Sequence, residues 1–172
     1  MIWSTKCRMT PMFLLSRPSL KMRRALSAIA NGGVLVNPHL VKKINYQIGT
    51  SKNIPDTQGA QVIKPATAEE VARMMTWSVD NVLMQGKIKL QNYSVAAKTG
   101  TAQIANPAGG GYYSDRFLHS FVGFFPSYNP RFFIFLYTVY PKGVQYGSET
   151  LTEPFGNIVK FLINYYDIPP DR

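Results

Sequence analysis

A chain of 172 residues, 45% of them apolar and 13% aromatic, is long enough for one domain with a real core and is not a disordered or low-complexity protein. Its formal charge of +10 is uneven, since residues 1–24 hold six basic residues and no acidic one while the other 148 hold thirteen basic and nine acidic, scattered, which disfavours a nucleic-acid surface with its basic and aromatic stripe. The apolar stretch Phe132 to Tyr140 falls far short of the ~20 residues of a membrane helix, and the single cysteine, Cys7, excludes an internal disulfide framework and any multi-cysteine metal site.

The first stretch, MIWSTKCRMTPMFLLS, has basic residues but no sustained apolar core followed by a small-residue cleavage site, so it does not read as a secretory signal. From Ser19 to Ala30 the apolar positions Met22, Leu26, Ile29 and Ala30 recur at helical spacing, and Asn31-Gly32-Gly33 stops the helix. Val34-Leu35-Val36 is extended and Asn37-Pro38 turns the chain. His39 to Tyr46 alternates weakly, and Gly49 to Gly59 reads as a polar loop. Thr67 and Glu70 form a capping-box pattern that predicts a helix with Val71, Met74, Met75 and Val82 inward, ending at Gly86. Trp77 and the methionines of that helix read as packing residues.

Strands follow. Tyr93 to Ile104, Leu118 to Phe125 and Phe132 to Tyr140 are predicted, the last two joined by the turn Pro126 to Pro130. Those two are apolar on both faces, so both faces of their sheet must be covered. A final helix, capped by Thr152 with Pro154 in its first turn, offers Phe155, Ile158, Val159, Leu162, Ile163 and Tyr166 as one cover. Short hairpin connections favour antiparallel pairing. The fold class is therefore α+β, an antiparallel sheet covered by helices on both faces.

The first of these strands carries Lys98-Thr99-Gly100-Thr101. It is no phosphate loop, because the glycine follows the lysine and a strand continues, whereas a Walker loop needs glycines before the lysine and a helix after it. Taken alone, the triplet is an edge strand guarded by a lysine. Its surroundings say more. The segments ALSAIANGGVLVNPHLVKKI, VIKPATAEEVARMM, YSVAAKTGTAQIA and HSFVGFFPSYNPRFFIFLYTVYPK resemble, in order, the end of the penicillin-binding transpeptidase domain of class B peptidoglycan transpeptidases, whose third catalytic motif is a KTG triplet on a sheet edge. The resemblance covers residues 19–172. It leaves residues 1–18 as an anomalous segment unlike the family.

The resemblance implies a β-lactamase/transpeptidase-like fold, N-terminally truncated, and a D,D-transpeptidase that acylates a serine with a stem peptide ending in D-Ala-D-Ala. By the same likeness Lys98 and Thr101 are catalytic, Lys98 in the nucleophile's hydrogen-bond network and Thr101 as an oxyanion-hole N–H. Thr99, Gly100, Thr101 and Gln103 are substrate-binding. The hydroxyls of Thr99 and Thr101 meet the terminal carboxylate, Gly100 leaves room, and Gln103 contacts the backbone of a peptide laid along the strand. No cofactor or metal is implied. The implied partners are the stem peptide, β-lactams and, through an anchor outside the chain, a bacterial cell membrane, with the parent protein on its extracytoplasmic face; nucleic acid is not among them.

The pattern departs from the family in one respect. No S-x-x-K occurs in the 172 residues, although the family takes its nucleophile and base from that motif. Ser51-Lys52-Asn53 and Ser127-Tyr128-Asn129 match the S-x-N form of the second motif, but one sits in a polar loop and the other in a hairpin turn after KTG. Ser94 is four residues from Lys98 rather than three. The chain therefore reads as part of a transpeptidase, inactive alone, with a serine β-lactamase fragment as the alternative and a basic nucleic-acid-binding module as a more distant one. A chain lacking the family's first strands is further expected to leave Phe132 to Tyr140 with an open apolar edge and to be poorly soluble. His119 reads as a hydrogen-bonded structural histidine, His39 as a loop residue without ligand companions, and Gly109-Gly110-Gly111 as a flexible link beside the site.

Overall fold

The computed structural model describes residues 2–3, 17–55 and 57–172. In chain order these form β1 (Ile2–Trp3), α1 (Arg17–Ala30), β2 (Val34–Val36), β3 (Lys43–Asn45), β4 (Ser51–Asn53), β5 (Gln58–Gln61) and α2 (Pro65–Asn81). A short 3-10 turn, Leu83–Gly86, leads to β6 (Ala96–Ala105), β7 (Tyr112–Phe125), β8 (Phe132–Val139) and α3 (Gly147–Tyr165). The main sheet is antiparallel throughout in the order β1-β8-β7-β6, and two ribbons, β2-β5 and β3-β4, stand apart from it.

Both faces of the sheet are covered, as the apolar patterns of β7 and β8 require. On one face α3 lays Leu151, Phe155, Val159 and Leu162 onto Ala97, Phe121 and Ile134. The Phe121 and Phe155 rings lie 4.4 Å apart. On the other face α1 and α2 bring Ala30 and Ala72 onto Ala96, Phe124, Phe133 and Phe135. Small residues meeting there let the α2 backbone come close to β6.

Several boundaries and faces differ from the expectations. The helix α2 starts at Pro65, whose fixed φ suits the first helical position, so Thr67 lies inside it and Glu70 binds Arg73 at 2.9 Å instead of closing a cap. The buried side is Ala68, Ala72, Thr76 and Val79. Met74 is consequently 56% exposed, Trp77 60% and Val82 57%. In α1 the buried face runs through Arg23, Ser27 and Ala30, with Met22 outward. The helix α3 begins at Gly147, so Thr152 and Pro154 are interior. There the Glu149 carboxylate accepts from the Tyr146 N–H at 3.0 Å. The stretch expected as a polar loop contains β4, whose exposed residues carry no alternation to reveal it, and part of β5.

The early basic cluster is partly consumed inside the fold. Arg24 donates to Val36 O at 2.8 Å and Asn37 Oδ1 at 2.7 Å, and Arg23 is buried with its guanidinium 6.0 Å from the Phe135 ring. The β8 edge is not wholly open: Ile2 and Trp3 pair with Ile134 and Phe133. Most of the 1–18 segment lies outside the described residues.

Candidate functional site

Among the described residues the strand β6 is the sheet's other edge, hydrogen-bonded to β7 on one side. Its sequence suits that place. Ala96 and Ala97 are fully buried, one on each face, but from Lys98 onward the strand turns polar and exposed, which an interior strand between two apolar neighbours does not tolerate. The period of two places Ala97, Thr99, Thr101 and Gln103 on the α3 face and Ala96, Lys98, Gly100 and Ala102 on the other. Their partners across β7 are Phe121 for Thr99, His119 for Thr101 and Phe117 for Gln103.

Thr101 is joined to the start of α3. The Gly147 N–H donates to its Oγ1 at 2.9 Å, and the two backbones touch closely: a Cβ on Gly147 would stand 2.7 Å from Gly100 O. A hydroxyl that accepts from an N–H keeps its own proton to donate outward. The first turn of α3 also brings the positive end of the helix dipole, about half an elementary charge, to the strand. An acceptor-only group such as a carboxylate is the chemistry this arrangement favours at the open edge.

Lys98 lies on the opposite face, exposed, its ammonium resting on Thr99 O at 2.8 Å. Gly100 faces the same way, and a Cβ there would come within 2.5 Å of Ser120 Oγ on β7, so the glycine makes room for its neighbour strand as well as for anything outside. Gln103 is exposed on the Thr101 face. The four-residue motif and Gln103 are thus all on one edge strand, with the lysine and the two threonines on opposite sides of it.

The serines weighed from the sequence are elsewhere. Ser94 is buried, its hydroxyl bonded to the Asp171 carboxylate and accepting the Ser127 N–H at 2.8 Å. Ser127 is buried too, in the β7–β8 turn, beyond the start of β6 where Ala96 pairs with Phe124, a pair that itself lies about 17 Å along the strands from Thr101 at 3.4 Å per residue. Ser51 is exposed in β4. Gly109 to Gly111 closes the β6–β7 hairpin, tied by the Asn106 N–H to Gly111 O at 3.0 Å. His119 is fully buried inside β7 with both ring nitrogens hydrogen-bonded. Sequence reasoning missed Gly147 and Thr150. The available signal was Glu149 three residues after Tyr146, an acidic side chain in a helix's first turn.

The penicillin binding protein transpeptidase domain family matches residues 18–160. The chain is 32% identical over 163 residues to the penicillin-binding protein PbpB of Mycolicibacterium smegmatis, covering 90% of this chain and 25% of that protein. It is 29% identical over 152 residues to the stage V sporulation protein D of Bacillus subtilis, covering 86% and 23%. The apo crystal structure of penicillin-binding protein 3 from Mycobacterium tuberculosis superposes with a TM-score of 0.76 at 29% identity, over 89% of this chain and 36% of that one; the same protein has been solved with aztreonam and with ampicillin. The chain spans about a quarter of the length of these curated relatives.

Proposed function

The chain belongs to the penicillin-binding protein transpeptidase domain family, and from that premise we propose that it forms the carboxylate-binding, oxyanion-stabilising edge of a peptidoglycan D,D-transpeptidase. The reaction attacks the amide between two terminal D-alanines with a serine hydroxyl, expels the last D-alanine, and passes the acyl group from serine to a neighbouring amine. The substrate's terminal carboxylate meets the Thr99 and Thr101 hydroxyls, which share a face. The Thr101 N–H donates to the developing oxyanion, a contact whose loss costs on the order of 3 kcal/mol of transition-state stabilisation. The peptide lies along β6 as an added strand, with Gln103 reaching its backbone. Lys98 points to the other side of the strand, where it enters the hydrogen-bond network of the nucleophile.

One observation carries this reading: β6 is an edge strand whose Thr101 hydroxyl accepts the Gly147 N–H and keeps its own proton for an acceptor at the open edge. The 172 residues contain no S-x-x-K, so this chain alone binds without acylating. In a transpeptidase working on the outer face of the bacterial membrane, a β-lactam copies the D-Ala-D-Ala amide and takes the same place.

Titrating the 172-residue chain with N-acetyl-D-Ala-D-Ala and with the corresponding C-terminal amide tests this. The acid binds more tightly than the amide, and Thr101→Val weakens the acid at least about tenfold, the loss of a hydrogen bond to a charged group. Equal affinity for acid and amide, or covalent labelling of this chain by a fluorescent penicillin, overturns the reading.

A further inference from the structure

His119 is fully buried, yet it is not merely filling the core. It sits directly across from Thr101 in the β6–β7 ladder, and its two nitrogens reach the two sides of the chain segment that begins α3. Nε2 lies 2.9 Å from Gln145 O, just before the helix, and Nδ1 lies 2.9 Å from Thr150 Oγ1, in its first turn. A carbonyl only accepts, so Nε2 carries a proton; the other nitrogen, Nδ1, when unprotonated accepts the Thr150 hydroxyl proton, with Gly147 O a second, longer acceptor for that proton at 3.4 Å. Between these two anchors lies Gly147, whose N–H is 2.9 Å from Thr101 Oγ1 and where an added Cβ would stand 2.7 Å from Gly100 O, with the His119 Cβ in ordinary contact at 3.5 Å.

We propose that His119, acting with Thr150, is a positioning residue: it grips the start of α3 at two points and thereby keeps the Gly147 N–H on Thr101 Oγ1, which biases the Thr101 hydroxyl toward donating at the open edge. The proposal rests on the carboxylate-binding reading of Thr101. A hydroxyl free to rotate serves acceptors and donors alike. One whose lone pair is occupied by an N–H favours a group that only accepts, so the imidazole sharpens the preference for a free carboxylate over an amide without touching the substrate. Such preorganisation removes the cost of orienting the donor when the ligand arrives.

Amide hydrogen exchange at Gly147 in the 172-residue chain, with no ligand present, reads this arrangement. Thr150→Val keeps the shape of a half-buried side chain and removes the hydroxyl; Gly147 then exchanges about fivefold faster, the equivalent of one hydrogen bond worth about 1 kcal/mol. Thr150→Ser restores protection, and His119→Phe, which fills the ring's volume without its nitrogens, abolishes it. The acid-over-amide preference falls by a similar factor in Thr150→Val and His119→Phe. Wild-type exchange in Thr150→Val, or loss of protection in Thr150→Ser, overturns the proposal. A wild-type chain that does not prefer acid to amide overturns the carboxylate reading instead, and the exchange rates still decide the positioning.

Discussion

A hydroxyl oxygen has two lone pairs and one proton, and which of them a ligand meets depends on what already occupies the others. At Thr101 a backbone N–H fills a lone pair, whereas the neighbouring Lys98 ammonium, exposed and lying on its own strand's carbonyl, is free to turn toward whatever approaches its face. The Thr101 contact depends on a glycine. At Gly147 an added Cβ meets the Gly100 carbonyl at 2.7 Å, and the obstacle is backbone, so no flexible side chain can yield. Gly147→Ala therefore lifts the first turn of α3 from the strand at a cost of about 1–3 kcal/mol. Calorimetric melting shows that loss, and the affinity for N-acetyl-D-Ala-D-Ala falls several-fold because the Thr101 hydroxyl regains its rotation. Unchanged affinity with a lowered melting temperature separates the two effects and counts against the contact's role in binding.

Elements differ in how they hold the site, and the sequence reveals them unevenly for the same physical reason. The facing parts of β7 and β8, Leu118 to Phe125 and Phe132 to Phe135, are apolar on both faces because each face is covered there, and that pattern is local, so it can be read directly. The phase of α2 cannot. Its closest packing uses Ala68 and Ala72, small residues that a search for large apolar side chains passes over, and the large ones, Met74 and Trp77, face outward. The alternation of Thr99, Thr101 and Gln103 is equally local. The Gly147 contact joins residues 46 apart, and no periodicity records it. This asymmetry has a measurable counterpart. Phe155, 1% exposed against Phe121, is expected to cost about 3–5 kcal/mol on truncation to alanine. Trp77→Ala, a larger side chain lost from a 60% exposed position, is expected to change stability by less than about 0.5 kcal/mol. Denaturant melts of the two variants check the pair, and a Trp77 effect as large as that of Phe155 contradicts the assignment of the buried face.

At the scale of the whole molecule, the segment that leads into β6 is tied to the last residues of the chain. Beyond α3, Ile168 is buried and its carbonyl accepts the Tyr93 hydroxyl at 3.1 Å. The Asp171 N–H reaches Asn92 O at 3.1 Å, and the Asp171 carboxylate takes both the Ser94 N–H, at 2.7 Å, and the Ser94 hydroxyl. Ser94 in turn accepts the Ser127 N–H of the β7–β8 turn, and Ser127 meets Thr76 on α2 at 2.8 Å. Arg172 pairs with Asp80 on α2 and donates to Leu90 O at 2.7 Å. One exposed carboxylate thus caps a chain of hydrogen bonds through the buried Ser94, Ser127 and Thr76 that joins α2, the sheet and the end of the chain. Removing it leaves the Ser94 donors without an acceptor where Ser94 is 1% exposed, a cost of about 2–3 kcal/mol. For a domain of this size Asp171→Ala then melts about 4–12 °C lower, and Asp171→Asn, which keeps one acceptor oxygen, loses less. Because this network lies at the far end of β6 from Thr101, binding of N-acetyl-D-Ala-D-Ala by the folded variant stays within about twofold of wild type. A large affinity loss in Asp171→Ala well below its melting temperature shows instead that the end of the chain sets the position of the whole strand.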